Sequence, residues 1–148
     1  MTLTIAPADE ACTALVNQIN AGTTYALAVN ANYSRTEIDR LEEIDGLRVD
    51  VVAMTETQPN ELLDSSDNSR HSIDIVVRYK IQNKANDVSM MALLVRQIAL
   101  SVSTFKTADG RVQVWEWEPD EKENPDKKLL NDVGLFFSSI HLQVEVQQ

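Results

Sequence analysis

A run of alternating residues constrains this chain most. Ile73, Ile75, Val77, Tyr79 and Ile81 fill one set of positions, and Asp74, Val76, Arg78, Lys80 and Gln82 fill the other. Strand side chains point alternately to opposite faces, so the segment predicts a long strand with one buried and one charged face. Such a strand needs neighbours in a sheet and a layer packed over its apolar side. The chain closes on a second segment of this kind, where Phe136, Ser138, Ile140, Leu142, Val144 and Val146 alternate with Phe137, Ser139, His141, Gln143 and Glu145.

Three further segments read as strands. Tyr25, Leu27, Val29, Ala31 and Tyr33 alternate within residues 24–33. Leu47, Val49 and Val51 follow an Asp45-Gly46 turn, with Arg48, Asp50 and Val52 on the other side. An Asp109-Gly110 turn leads into RVQVWEWEP. Two segments have helical spacing instead. Ala11, Leu15 and Ile19 follow Pro7 and the acids Asp9 and Glu10, which suit a helix start, and Gly22 can close that helix. Val88, Met91, Leu94, Val95, Ile98 and Val102 form the stripe of a second helix, which Asn86 or Asp87 can cap. Ile38, Leu41 and Ile44 mark either one helical turn or an extended arm. The order α-β-β-β-α-β-β predicts one α+β domain over residues 1–148: a largely antiparallel mixed sheet of about four to five strands with two main helices on one face.

Composition narrows the function classes. Against 23 Asp+Glu the chain has 13 Lys+Arg, a net charge of -10, the wrong sign for a protein that clamps nucleic acid. The single Cys12 forbids an internal disulfide and a thiolate zinc site, and it reads as a packing residue beside the first helical stripe. His71 and His141 form no metal-ligand motif and read as surface or pairing residues. No run approaches the roughly 18–20 apolar residues of a membrane span, and MTLTIAPADE lacks the pattern of a secretory signal, so a product assembled in the cytoplasm is expected.

Catalytic signatures are missing as well: no P-loop, GxSxG, HExxH or GxGxxG occurs. Glu42 with Glu43, and Glu116 with Glu118, read as solvated surface because no Lys or His partner is spaced near them. The acidic loop 116–126 lacks the oxygen spacing and central Gly of an EF-hand. The expectation is a non-enzyme without cofactor or metal. Two features suggest contacts with other proteins. Residues 56–71 form a long polar connection, of the kind that orders against a partner. Trp115 and Trp117, two apart and so expected on one strand face, serve either the core or an interface.

The order of elements, together with EEIDGLRVDVVAM (42–54), RHSIDIVVRYKI (70–81), the helix MALLVRQIALSV and the closing FFSSIHLQVEV (136–146), resembles the tail terminator (tail completion) proteins of long-tailed bacteriophages and prophages. The Asp45-Gly46-Leu47 entry into a Val-rich strand and the Ser72-Ile73-Asp74-Ile75 strand carry most of it, and it runs from about Ala11 to Val146. The stretch EWEPDEKENPDKK departs from the family pattern.

The resemblance implies a structural virion protein at the head-tail junction, assembled in the host cytoplasm. It implies a homo-hexameric ring that caps the phage tail tube protein, stops its polymerisation and offers a joining surface to the head-tail connector or adaptor protein. Genomic DNA would pass through its channel without specific binding, and no membrane is involved. In that role Glu61, Asp64, Arg70, Asp74, Arg78, Lys80, Trp115 and Trp117 are the expected subunit or partner interface, with Asp74, Arg78 and Lys80 facing the channel. The alternatives are a neck connector one ring higher, a tail-tube protein, a non-viral adaptor that binds through Trp115 and Trp117, or a hydrolase using the glutamates.

Overall fold

A computed structural model describes residues 6–34, 46–57, 69–119 and 134–147. Its elements run α1 (Pro7–Asn20), β1 (Ala31–Ser34), β2 (Leu47–Thr57), β3 (Ser69–Lys80), α2 (Lys84–Val102), β4 (Val112–Pro119) and β5 (Leu135–Val146). This is the α+β order read from the sequence. The strands form one five-stranded sheet in the order β1-β2-β3-β5-β4. β1 runs parallel to β2 and the other neighbours are antiparallel, so the sheet is mixed.

The alternation of β3 and β5 sets the layers. In their register Ile73 pairs with Leu142, Ile75 with Ile140, Val77 with Ser138 and Tyr79 with Phe136. On β2, Val49 and Val51 sit opposite Val77 and Ile75. Both helices cover this face: Ala11, Leu15 and Ile19 of α1, and Met91, Leu94, Val95, Ile98 and Val102 of α2, are buried in the same cluster as the strand residues. Burial of aliphatic side chains at about 1.5–3 kcal/mol each makes this layer the main source of cohesion.

Helix ends follow the local chemistry. Pro7 occupies the first turn of α1, where a missing N–H costs nothing. At the other end a side chain on Gly22 would run into the ring of Tyr25, so a larger residue there would force that ring to move. The second helix begins earlier than expected, at Lys84, and Asn83 makes no side-chain cap. Asp87 acts from inside the first turn instead: its Oδ2 accepts the backbone N–H groups of Gln82 and Asn83, both at 2.8 Å. Those two hydrogen bonds hold the Asp87 carboxyl below the ordinary carboxylate range.

Two strand boundaries differ from expectation. Residues 24–30 alternate like a strand, yet only Ala31–Ser34 pair as one. Their backbone finds side-chain partners instead of a ladder. Ala26 N–H donates to Gln97 Oε1 at 2.7 Å, and Gln97 Nε2 donates to the Thr24 carbonyl at 3.2 Å. In the other direction, Ser69, Arg70 and His71 belong to β3, although their polar composition reads as loop. The long partner strand β5 extends the ladder to pair them with Val146, Glu145 and Val144. His71 thereby lands on the helix-covered face, 2% exposed, with Ser69 Oγ 2.9 Å from its Nε2. Of the two roles expected for it, surface or pairing, burial removes the first and the contact with Ser69 fits the second.

Candidate functional site

The second face of the sheet carries the charged half of each alternating strand. Asp50 and Val76 are opposite one another on it, as are Arg48 and Arg78, Asp74 and His141, Ser72 and Gln143, and Arg70 and Glu145. It divides into a closed centre and an open flank.

The centre holds Arg78. Its side chain is 0% exposed, and Nη2 donates to Asp50 Oδ2 at 2.6 Å, while Arg48 Nη2 lies 3.7 Å from the other carboxylate oxygen. Val52, Val76 and Ser139 are buried around the pair. This corrects the expectation that Arg78 faces a channel or a neighbouring subunit. Alternation placed it correctly on the polar face, but it cannot reveal that the middle of that face is shut from solvent. An ion pair in such a place is structural: removing either partner strands a buried charge.

The flank is open and organised in cross-strand pairs. Asp74 Oδ1 and His141 Nδ1 are 2.8 Å apart, and Gln143 Nε2 donates to Ser72 Oγ at 2.9 Å. Beyond them Arg70 Nε stands 3.6 Å from Glu145 Oε2, and its guanidinium lies 4.3 Å from the centre of the Trp115 ring. A guanidinium stacked over an indole is a cation–π contact of about 0.5–1 kcal/mol at an exposed site. Lys80 is exposed at the far end of β3. Asp74 and Lys80 therefore lie on the expected face, and Arg70, expected in the connection 56–71, joins them because β3 begins at Ser69. Glu61 and Asp64, and the whole acidic stretch after Pro119, lie outside the described residues.

The two tryptophans do not share a face. The β4–β5 register shifts between Val114 and Glu116, so one extra residue, Trp115, bulges out of the ladder. Trp117 then pairs with Leu142 and packs against the core on the helix side. Trp115 turns to the opposite side, 56% exposed under Arg70. Strict alternation had put both together, and a bulge is what a period of two cannot register. The outer edge of β4 is partly occupied, since Thr107 N–H donates to Val112 O and Val114 N–H to Phe105 O, both at 2.9 Å.

A second exposed apolar feature escaped the sequence reading. Leu93 and Leu100 of α2 are 50% and 57% exposed. They fall off the core stripe, close to half a turn from it at 100° per residue, and seven residues apart on one line. That offset is visible in the sequence once the core stripe is drawn.

Reactive groups are few among the described residues. Burial, and then the neighbouring Asp9, push the Cys12 thiol up to about 12, so it is a thiol and not a thiolate at neutral pH. Beside it Tyr33 donates its hydroxyl to Asp9 Oδ1. A cleft of about 400 Å³ lies along the connection from α1 to β1, where its one ionisable lining side chain is Tyr25. The Tyr25 hydroxyl is engaged with Ser101 Oγ at 3.2 Å. No group of three or more His, Cys, Asp or Glu that could hold a metal ion occurs among the described residues. Nor is any helix among them long and apolar enough to cross a membrane. Compared with known proteins, the chain matches no family model, and no curated protein matches it closely enough to count as a relative.

Proposed function

We propose that this chain is a non-enzymatic ring subunit of a long-tailed phage virion, a tail terminator that caps the tail tube and presents a joining surface to the head connector. The segments that carry its resemblance to that family are β2, β3, α2 and β5, the centre of the domain. One observation supports the ring reading: among the described residues the large exposed apolar side chains fall in two separate places, Leu93 and Leu100 on the helix layer and Trp115 on the opposite side of the sheet. A closed ring is built from a head-to-tail contact, which needs two different patches on each subunit. A net charge of -10 suits a ring through which DNA slides, because carboxylates repel phosphates.

The test is electron microscopy of particles from a phage carrying a stop codon in this gene. Overlong tails of variable length, detached from filled heads, are the expected result. Tails of normal length beside unjoined heads would move the protein to the connector, one ring higher. Intact infectious particles would overturn both assignments and favour an adaptor that binds through Trp115.

A further inference from the structure

The turn into β4 carries a dipeptide, Asp109-Gly110, that can rearrange with no reagent but water. The Gly110 amide nitrogen forms a bond to Asp109 Cγ, unhindered by any Cβ on the glycine, while the carboxyl OH and the amide proton leave together as water. Water then opens the resulting succinimide ring at either carbonyl carbon. One opening restores aspartate, and the other gives isoaspartate, in which Cβ and Cγ of Asp109 have joined the main chain. The fold calls for both residues. Gly110 has a φ of +75°, a region that side chains rarely enter. Asp109 Oδ1 accepts the Thr107 hydroxyl at 2.6 Å and the Arg111 backbone N–H at 3.0 Å, which closes the turn.

The same contacts oppose the reaction. Gly110 N–H donates to Thr107 O at 2.9 Å, so the nucleophile is engaged. The Thr107 hydroxyl, and then the Arg111 N–H, hold the Asp109 carboxyl below the ordinary carboxylate range. It therefore stays ionised at neutral pH, and a carboxylate is a poorer electrophile than a carboxylic acid. We infer that Asp109-Gly110 is a latent isoaspartate site and that Thr107 keeps it silent in the folded chain, its carbonyl restraining the nucleophile and its hydroxyl the electrophile. Isomerisation would reach beyond the turn. Arg111 spans Glu10 of α1, with Nε 2.9 Å from Oε2 and Nη2 3.0 Å from Oε1. A methylene inserted into the main chain ahead of Arg111, and a carboxylate drawn away from its N–H, displace the residue that ties α1 to β4.

Ageing the full chain for several weeks at neutral pH and physiological temperature tests it. Trypsin cuts after Lys106 and Arg111 and so releases Thr107–Arg111 as one peptide, distinct from the one that holds Asp45-Gly46. Its isoaspartate form has the same mass and a different chromatographic retention. Folded wild type should accumulate that form at least tenfold more slowly than the same chain in concentrated urea. Thr107→Val, which lacks the hydroxyl, should isomerise at least fivefold faster than wild type, and Thr107→Ala takes its place if circular dichroism shows the valine variant unfolded. Thr107→Ser keeps the hydroxyl and should age at the wild-type rate.

Absence of isoaspartate from the urea sample would overturn the site itself. Equal rates with and without urea would overturn its protection by the fold. A Thr107→Val rate no higher than wild type, or a Thr107→Ser rate as high as that of Thr107→Val, would overturn the role of the hydroxyl. Each outcome is independent of the place of the chain in a virion.

Discussion

The two faces of this sheet are made from alternate residues of the same strands, yet they hold the protein together differently. The helix-covered face is aliphatic and continuous from Val51 and Ile75 through Ile140 to Val144. Its cohesion is spread over many contacts that no single residue dominates. The opposite face depends on a few directed pairs: Arg78 with Asp50 at its closed centre, Asp74 with His141 and Arg70 with Trp115 on its open flank. A distributed face tolerates a lost methyl group, whereas a paired face fails at the pair.

The sharpest way to break this contrast is at Arg78. Arg78→Ala should destabilise the fold by about 3–5 kcal/mol, because it leaves Asp50 charged and buried. Denaturant unfolding measures this, and a loss under 1 kcal/mol would show that the centre of the face is open to water. Arg78→Met with Asp50→Leu removes both charges and should recover most of the loss.

The tryptophans probe one face each. Trp117→Ala should cost about 2 kcal/mol, less than full burial would give because the ring is only partly covered. Trp115→Ala should cost about 0.5–1 kcal/mol, the value of an exposed cation–π contact. Equal losses in thermal unfolding would mean that the bulge does not separate them.

Ser138 sharpens the contrast from the other side. Its hydroxyl is buried on the aliphatic face without a hydrogen-bond partner. Ser138→Ala should therefore stabilise by about 1 kcal/mol, read as a higher denaturant midpoint.

The smallest effect concerns pH. Asp87 has its carboxyl lowered by the backbone N–H groups of Asn83 and Gln82, so its contribution is present above the ordinary value of 3.8. It is lost as pH falls through the lowered folded-state value. Asp87→Asn should lower the melting temperature slightly at pH 7, and the deficit should shrink as the pH falls below 3.8. A deficit that persists in acid would place the effect outside titration.

Much of this was legible in the sequence. Hydrophobic period separated strands from helices and gave their order, because two faces per strand and one stripe per helix are written directly into residue spacing. What spacing cannot carry is pairing. Whether a charged face is open depends on what lies over it, which hid Arg78. Whether residues 24–30 extend a strand depends on Gln97 reaching their backbone, and residues 69–71 became strand only because β5 is long enough to meet them. The bulge at Trp115 is a property of two strands together. Asp74 and Lys80 were placed on the right face because alternation is unbroken from Ile73 onward through β3.

That bulge also equips the molecule with two optical reporters. An indole packed against Leu142 emits at shorter wavelength and is shielded from soluble quenchers, while one that is half in water and lies under a guanidinium is not. The chain has only these two tryptophans. Events at the core and on the open flank of the sheet can thus be followed separately in one unlabelled sample, Trp117 reporting the first and Trp115 the second.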